Sequence, residues 1–457
     1  MTYSTPVFLT LPEPCRRIID RLQENSFHGY AVGGCVRDSL LGRMPHDWDI
    51  TTDAHPEQVL SIFRDFHVIE TGLQHGTVTV RIDHEPYEVT TFRVDGEYSD
   101  GRHPDEVRFT ASVEEDLARR DFTVNAMAYN DTDGLIDPFG GQADLKNRIL
   151  RCVGDPERRF TEDALRLFRA LRFSAVLGFS IEPNTLAALK TLSPKIAQVA
   201  RERIFVELKK TLTAPYAADA LRLAPELLFA AVPELEIIRD VPQNSRYHIY
   251  DVFEHTLHAL EASPPDETVR LAVLLHDTGK GVCRTVGKDG YDHFYGHAVH
   301  SKEIAHRVLR ALRCDNRTLH DVTRLVELHD IHFPMRQAKF RRLLAALGYD
   351  LFYKLIAVAE ADSAAHAPDC IDERLTALRE ARREAERLQT ENYCLHMQQL
   401  AVNGRDMAAL GYRGAEIGTA LTALLDSVII GQTPNDRNIL LERAERMLGK
   451  IQKGKTT

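Results

Sequence analysis

Asp47 and Asp49 flank Trp48 just ahead of an apolar run, Ile50-Thr51-Thr52. Side chains two apart on a strand share a face, so this spacing predicts paired carboxylates with Trp48 turned toward the core. Adjacent carboxylates repel unless a cation lies between them, and hard oxygen ligands of this kind suit Mg²⁺. A third acid would complete a two-metal site. Glu88 is the candidate because its segment, 86–92, is expected to neighbour that strand; Asp83 and Glu85 are the alternatives. Upstream stands Gly33-Gly34-Cys35-Val36-Arg37-Asp38. Its glycines let backbone N–H groups approach phosphate oxygens, and Arg37 would add charge-assisted bonds. Each pattern taken singly also fits a structural turn or a pair of solvated acids.

The elements that must position these residues follow from periodicity. Residues 28–34 and 48–52 read as strands, 35–41 and 56–65 as helices, and 77–82 with 86–92 as a hairpin. Beyond Asp155 the strand signal almost vanishes, and helical spacing recurs at 165–177, 185–192, 204–211, 251–261 and 268–275. The fold class is α+β: an N-terminal mixed sheet with helices, then an all-helical neck, body and tail. Expected boundaries are 1–150, 151–240, 241–370 and 371–457. Breaks at 233–244 and 263–266 are rich in proline and polar residues, and the mixed-charge run 372–390 reads as a solvated connecting helix.

Further motifs continue the series in order: the strand EVTTFR, then Arg119-Arg120-Asp121-Phe122-Thr123-Val124-Asn125-Ala126, then the segment EDALRLFRALRF, which runs from Glu162 to Phe173. With GGCVRD and DWDITT, this set resembles the class II tRNA nucleotidyltransferases, the family of bacterial CCA-adding enzymes and their poly(A) polymerase relatives. The resemblance covers the head most specifically and extends to a tail containing LGYRG and PNDRNILLERA. It implies that Arg120 pairs with a nucleoside triphosphate while Asp121 and Asn125 bond the ribose hydroxyls. It also implies that Asp163 and Arg166 select CTP and then ATP with no nucleic-acid template. On a helix, Asp163, Arg166, Arg169 and Arg172 would form one ridge of i+3 steps, presenting an Asp acceptor beside Arg donors to a base edge. A surface ion-pair ladder is the plainer reading of the same spacing. The family also has a flexible loop where 93–104 stands here, associated with the shift from CTP to ATP. The expected reaction is attack of the tRNA 3′-hydroxyl on the α-phosphorus of CTP or ATP, releasing pyrophosphate. An A-adding enzyme and a poly(A) polymerase share these motifs.

A second constellation, His255, His276-Asp277 and Asp362, matches the H…HD…D pattern of HD-type phosphohydrolases. Imidazoles with carboxylates suit a transition metal such as Mn²⁺, Ni²⁺ or Zn²⁺, and His297, His300 and His329 would support a second one. A metal-dependent phosphohydrolase in the same chain and an HD fold kept as a scaffold are both open.

Composition bounds these readings. The 457 residues suffice for about three domains. A net charge of −10 excludes a uniformly basic nucleic-acid coat, so contact with tRNA must be local. Arg201/Arg203 with Lys209/Lys210, Arg336/Lys339 with Arg341/Arg342, and Lys450/Lys453/Lys455 are the candidate patches. Aromatics at 7% argue against a base-stacking platform. Seven dispersed cysteines without a CxxC pair point to reduced thiols in a cytoplasmic protein. Neither a leader peptide nor a membrane span is expected.

Overall fold

The computed structural model describes residues 8–70, 72–73, 76–96 and 107–454. The chain forms two compact units that divide between Glu234 and Leu235.

In the first unit, α1 (Glu13–Glu24) buries Cys15, Ile18, Ile19 and Leu22, the 3–4 spacing of one helical stripe. Then come β1 (Gly29–Val32), α2 (Gly34–Leu40), β2 (Ile50–Thr52), α3 (Pro56–Ile62), β3 (His67–Ile69), β4 (Thr77–Ile82) and β5 (Glu85–Thr91). A ribbon of β6 (Arg93–Asp95) and β7 (Val107–Phe109) precedes α4 (Val113–Ala118). β8 (Ala128–Asn130) and β9 (Gly134–Ile136) complete a seven-stranded sheet ordered β3-β4-β5-β2-β1-β8-β9. Every neighbouring pair is antiparallel except β2 and β5, which run parallel. β1 and β2 are buried at every position, as central strands covered on both faces must be. The expected strands, first helices and hairpin are therefore present, with ends shifted by a few residues.

Helices follow: α5 (Gly141–Asn147), α6 (Pro156–Glu162), α7 (Leu165–Leu177), α8 (Pro183–Leu192), α9 (Arg201–Leu212), α10 (Ala217–Leu223) and α11 (Pro225–Ala231). α7 packs on α9 and α10, burying Leu167, Phe168, Leu171 and Ala175.

The second unit is helical: α12 (Val252–Ala262), α13 (Glu267–Leu275), α14 (Lys280–Cys283), α15 (His297–Ala311), α16 (Asn316–Leu328), α17 (Gln337–Ala364), α18 (Ile371–Thr390), α19 (Gly404–Leu410), α20 (Ala415–Ile429) and α21 (Arg437–Gly454). α12, α13 and α16 pack against α17, which bends at Gly348, where φ is +71°. α18 differs from the expected solvated connector. Its charges line one side, but Ala377, Leu378, Ala381, Ala385 and Leu388 form an apolar stripe buried on α17.

Candidate active site and candidate metal centre

Strand register assembles the acidic cluster. β2 and β5 place Ile50 opposite Val89, so the residues one step earlier, Asp49 and Glu88, lie side by side. Asp47 and Asp49 fall before β2 rather than within it, and Trp48 is only partly buried. Strand alternation is thus not what pairs these acids; the parallel register and the approach to β2 are. Asp83 occupies the β4–β5 turn at φ +52°, and Glu85 lies an odd number of residues from Glu88 on β5, hence on the other face. Of the three candidates, register favours Glu88. Burial pushes the Asp49 carboxyl above its ordinary range; the Glu88 charge adds to this, Arg120 opposes it, and Asp47 contributes a smaller upward push. All three acids still keep an open side toward solvent.

Beside them is the glycine turn. Gly33 holds φ +81°, where any side chain is strained, and a Cβ there would also crowd Arg120 Nη1 at 2.9 Å and displace the guanidinium. A Cβ on Gly34 would instead meet Arg37 Nη2 at an ordinary 3.7 Å. Arg37 is 8% exposed, and its donors are engaged: Nε and Nη2 bond the two Asp38 carboxylate oxygens, and Nη1 bonds Asn125 Oδ1 at 2.6 Å. Asn125 in turn donates to Asp121 Oδ1 at 3.2 Å. Arg37 thereby fixes Asn125 and Asp121 from inside the protein.

Asp121 also joins the RRDFTVNA segment to α7. Its Oδ2 accepts from Arg169 Nε at 2.8 Å and Nη2 at 2.5 Å. Burial alone would raise this carboxyl, but Arg169 and then Arg166 and Asn125 bring it down to about 2. Arg166 Nη1 bonds Glu162 Oε2 at 2.7 Å and its Nη2 bonds the Arg119 carbonyl at 3.1 Å; Arg172 faces Glu207 at 2.7 Å. The expected four-residue ridge is corrected in one respect. Asp163 has φ −141° and ψ 106°, in the break between α6 and α7, so only the three arginines share the helix. In that break Asp163 Oδ1 accepts from the Leu165 N–H at 3.0 Å, and Oδ2 accepts from Arg203 at 3.1 Å.

The acids that hold these arginines were passed over in the sequence. Glu162 precedes Arg166 by four residues, across the α6–α7 break, and Asp116 precedes Arg119 and Arg120 by three and four, spacings that signal such pairs. Some expected RNA-contact cations are likewise engaged: Arg203 with Asp163, Arg342 with Asp426 at 2.8 Å, and Arg341 with Tyr393 Oη at 2.9 Å. The loop expected at 93–104 lies outside the described residues from 97 onward, as does Lys455.

In the second unit, ligand atoms of His255, His276, Asp277 and Asp362 lie within 4.8 Å of one another, and those of Asp277, His297 and His329 form a second such group. His300 joins neither. His276 and His329 end α13 and α16, where the last carbonyls lack helical partners. The imidazole Nδ1 atoms supply them: His276 to Val273 O and His329 to Val326 O, both at 2.7 Å. His297 Nδ1 meets Phe294 O at 3.0 Å, and His255 Nδ1 meets Ala365 O at 3.2 Å. With Nδ1 against a carbonyl, each ring turns its Nε2 toward the carboxylates. His297 Nε2 and His329 Nε2 stand 3.1 Å apart. Burial pulls His276 down, but Asp277 and Asp362 push it up to about 10. Acceptors this concentrated require protons or a cation among them. Asp277, His297, His329 and Asp362 line a cavity of about 270 Å³ shared with Lys280, Arg374 and Tyr295.

A mixed sheet with carboxylates gathered beside a glycine turn, followed by a helix bearing partly buried, ion-paired arginines, has the form of a nucleotidyltransferase head and neck. Family models match in the same order: the Poly A polymerase head domain over residues 29–151, the "Probable RNA and SrmB- binding site of polymerase A" over 178–237, and the HD domain over 246–366. The CCA-adding enzyme of Leuconostoc mesenteroides is 51% identical over 208 residues, 45% of this chain and 51% of that protein. That of Geobacillus stearothermophilus is 48% identical over 209 residues, 46% of this chain and 51% of that one. The chain thus spans about half the length of the curated relatives it matches. The crystal structure of the Bacillus stearothermophilus CCA-adding enzyme in complex with CTP aligns over 97% of this chain and 100% of that one, at 31% identity and a TM-score of 0.74. A Thermotoga maritima CCA-adding enzyme complexed with tRNA shares the fold, with a TM-score of 0.59 at 20% identity. The chain belongs to the family of CCA-adding enzymes, the tRNA nucleotidyltransferases. No helix among the described residues is long and apolar enough to cross a membrane.

Proposed function

We propose that this chain adds CCA to the 3′ end of tRNA from CTP and ATP, without a nucleic-acid template. The observation that carries this reading is the placement of Asp49 and Glu88 by strand register beside Gly33 and Arg120, in a chain aligned end to end with a CTP-bound CCA-adding enzyme. The relatives' names favour full CCA addition over A-only or poly(A) synthesis.

Oxygen donors fit Mg²⁺, and the upward push on the Asp49 carboxyl from Glu88 and Asp47 is the crowding a divalent cation relieves. Asp47, Asp49 and Glu88 would hold it, where it supplies charge neutralisation to the attacking hydroxyl and the departing pyrophosphate. Gly33 leaves the Arg120 guanidinium room to meet phosphate oxygens. Asp121 and Asn125, immobilised by Arg169 and Arg37, present oxygen acceptors and an amide to the ribose hydroxyls. Asp163 and Arg166 read the base edge, Asp163 as acceptor and Arg166 as donor. A single pair of side chains that serves cytosine and then adenine replaces a template. Four domains, 1–150, 151–240, 241–370 and 371–457, divide this labour, the last contacting tRNA. Incubating a tRNA that lacks its CCA with labelled CTP and ATP tests the reading; three added nucleotides support it, and no incorporation ends it.

A second activity is supported by the orientation of the four histidines. We infer that His255, His276, Asp277 and Asp362 hold a transition metal, that His297 and His329 share Asp277 with a second, and that the site hydrolyses phosphoesters. Metal analysis of the purified protein, with bis-p-nitrophenyl phosphate and 2′,3′-cyclic phosphate as substrates, decides this. Bound metal with turnover supports it; no metal and no turnover reduces the HD domain to a scaffold.

A further inference from the structure

Asp116 is fully buried, at 0% exposure, on the short helix α4. A buried carboxylate is costly unless paired, and this one is paired with groups from three places in the head. Oδ1 faces Arg119 Nη2 at 2.8 Å and accepts from Arg119 Nε at 2.9 Å and from the Arg93 N–H, at the start of β6, at 3.3 Å. Oδ2 accepts from Thr51 Oγ1 on β2 at 3.3 Å and from Arg120 Nη2 at 3.5 Å. Thr51 stands two residues after Asp49, on the strand whose register sets the acidic cluster. Arg120 is the guanidinium that fills the space over Gly33, and its Nε is buried without a hydrogen-bond partner among the described residues.

We propose that Asp116 is a positioning residue: it fixes the Arg120 guanidinium relative to the β2 carboxylates, so that grip on the triphosphate depends on it. Only one oxygen of Asp116 reaches Arg120, and at the long end of hydrogen-bonding range. The guanidinium is held in place yet keeps a donor for an incoming oxyanion. The like-charged cluster of Asp47, Asp49 and Glu88 would otherwise draw Arg120 across the turn, since the Arg120 charge already acts on Asp49. The second carboxylate, from behind, balances that pull.

This inference rests on the nucleotidyl-transfer reading, and the experiment separates the two. Affinities for CTP and CMP are measured on the whole chain, wild type and Asp116→Asn. The asparagine keeps the shape and an acceptor but loses the charge. A purely structural lesion weakens both ligands alike; a misplaced Arg120 weakens only the triphosphate. The expected result is a CTP-over-CMP preference narrowed by about tenfold or more, with KM for CTP rising more than kcat falls. In an Arg120→Ala background the same change should narrow the preference no further, which isolates the coupling. Should Asp116→Asn fail to fold, Asp116→Glu, which keeps the charge but displaces it by one methylene, gives the same comparison. An unchanged preference, or effects that add in the double variant, overturns the role of Asp116 while leaving the transferase reading intact. A wild-type chain that neither binds CTP nor extends tRNA overturns both.

Discussion

The acidic cluster of the head and the histidine cluster of the HD domain both gather negative or lone-pair-bearing atoms in a small space, and they do so by opposite means. Asp47, Asp49 and Glu88 keep an open side, and among the described residues the cation that acts on Asp49 is the nearby Arg120. His255, His276, Asp277 and Asp362 are 0–5% exposed, and backbone carbonyls pin the rings. The difference teaches where each site keeps its freedom. On the proposed reading the head must admit a nucleotide and an RNA end and let pyrophosphate go, which fits acids that face an open side and side-chain anchoring one layer back, in Asp116, Arg37 and Arg169. The HD cluster fixes the ligands themselves, and access is confined to a small cavity.

The largest effect that would break this comparison comes from the head. Asp49→Ala should lower nucleotide incorporation by about a thousandfold or more, the scale of a group that stabilises charge in the transition state, while tRNA binding stays nearly intact. Substantial residual turnover would mean that the exposed cluster is not the reaction centre. Next come Asp163→Ala and Arg166→Ala. Each should relax discrimination between CTP or ATP and the other two nucleotides by about tenfold or more, since a hydrogen-bonded base contact contributes roughly 1–3 kcal/mol; competition assays with all four nucleotides measure it.

The HD cluster sharpens the contrast from the other side. His276→Ala should empty the primary metal group, read by elemental analysis, yet leave CCA addition within about twofold of wild type. A parallel loss of both would show that the two sites are coupled. The smallest expected effect is on stability. Arg169 holds the Asp121 carboxyl at about 2, below its usual 3.8, so the pair's contribution is complete above about pH 4 and is lost as pH falls toward 2. Asp121→Asn should therefore show a flatter loss of stability over that window, by about 2 kcal/mol in urea titrations at its two ends.

What could be read in advance depended on the range of the interaction. Helices 165–177 and 268–275 were legible because their apolar stripes recur within one segment, and the H…HD…D set because its residue types are unusual together. The geometry of the acids was not. Asp47 and Asp49 precede their strand, and Glu88 joins them only because β5 lies parallel to β2, a pairing between residues some forty positions apart. Asp163 looked helical by spacing, yet it caps the break that starts α7. Asp116 was marked only by its helical spacing to Arg119 and Arg120, as one acid among several in the run from Glu114 to Asp116.

By itself, then, the sequence determined the kinds of ligand available, the order of the motifs, and the alternation of strand and helix. These depend on side-chain chemistry and local period, which a linear string contains in full. Tertiary structure decided which carboxylates meet, which arginines are already engaged, and which imidazole nitrogen faces inward. Those outcomes depend on register, burial and hydrogen bonding between distant segments, and such contacts exist only once the chain has closed on itself.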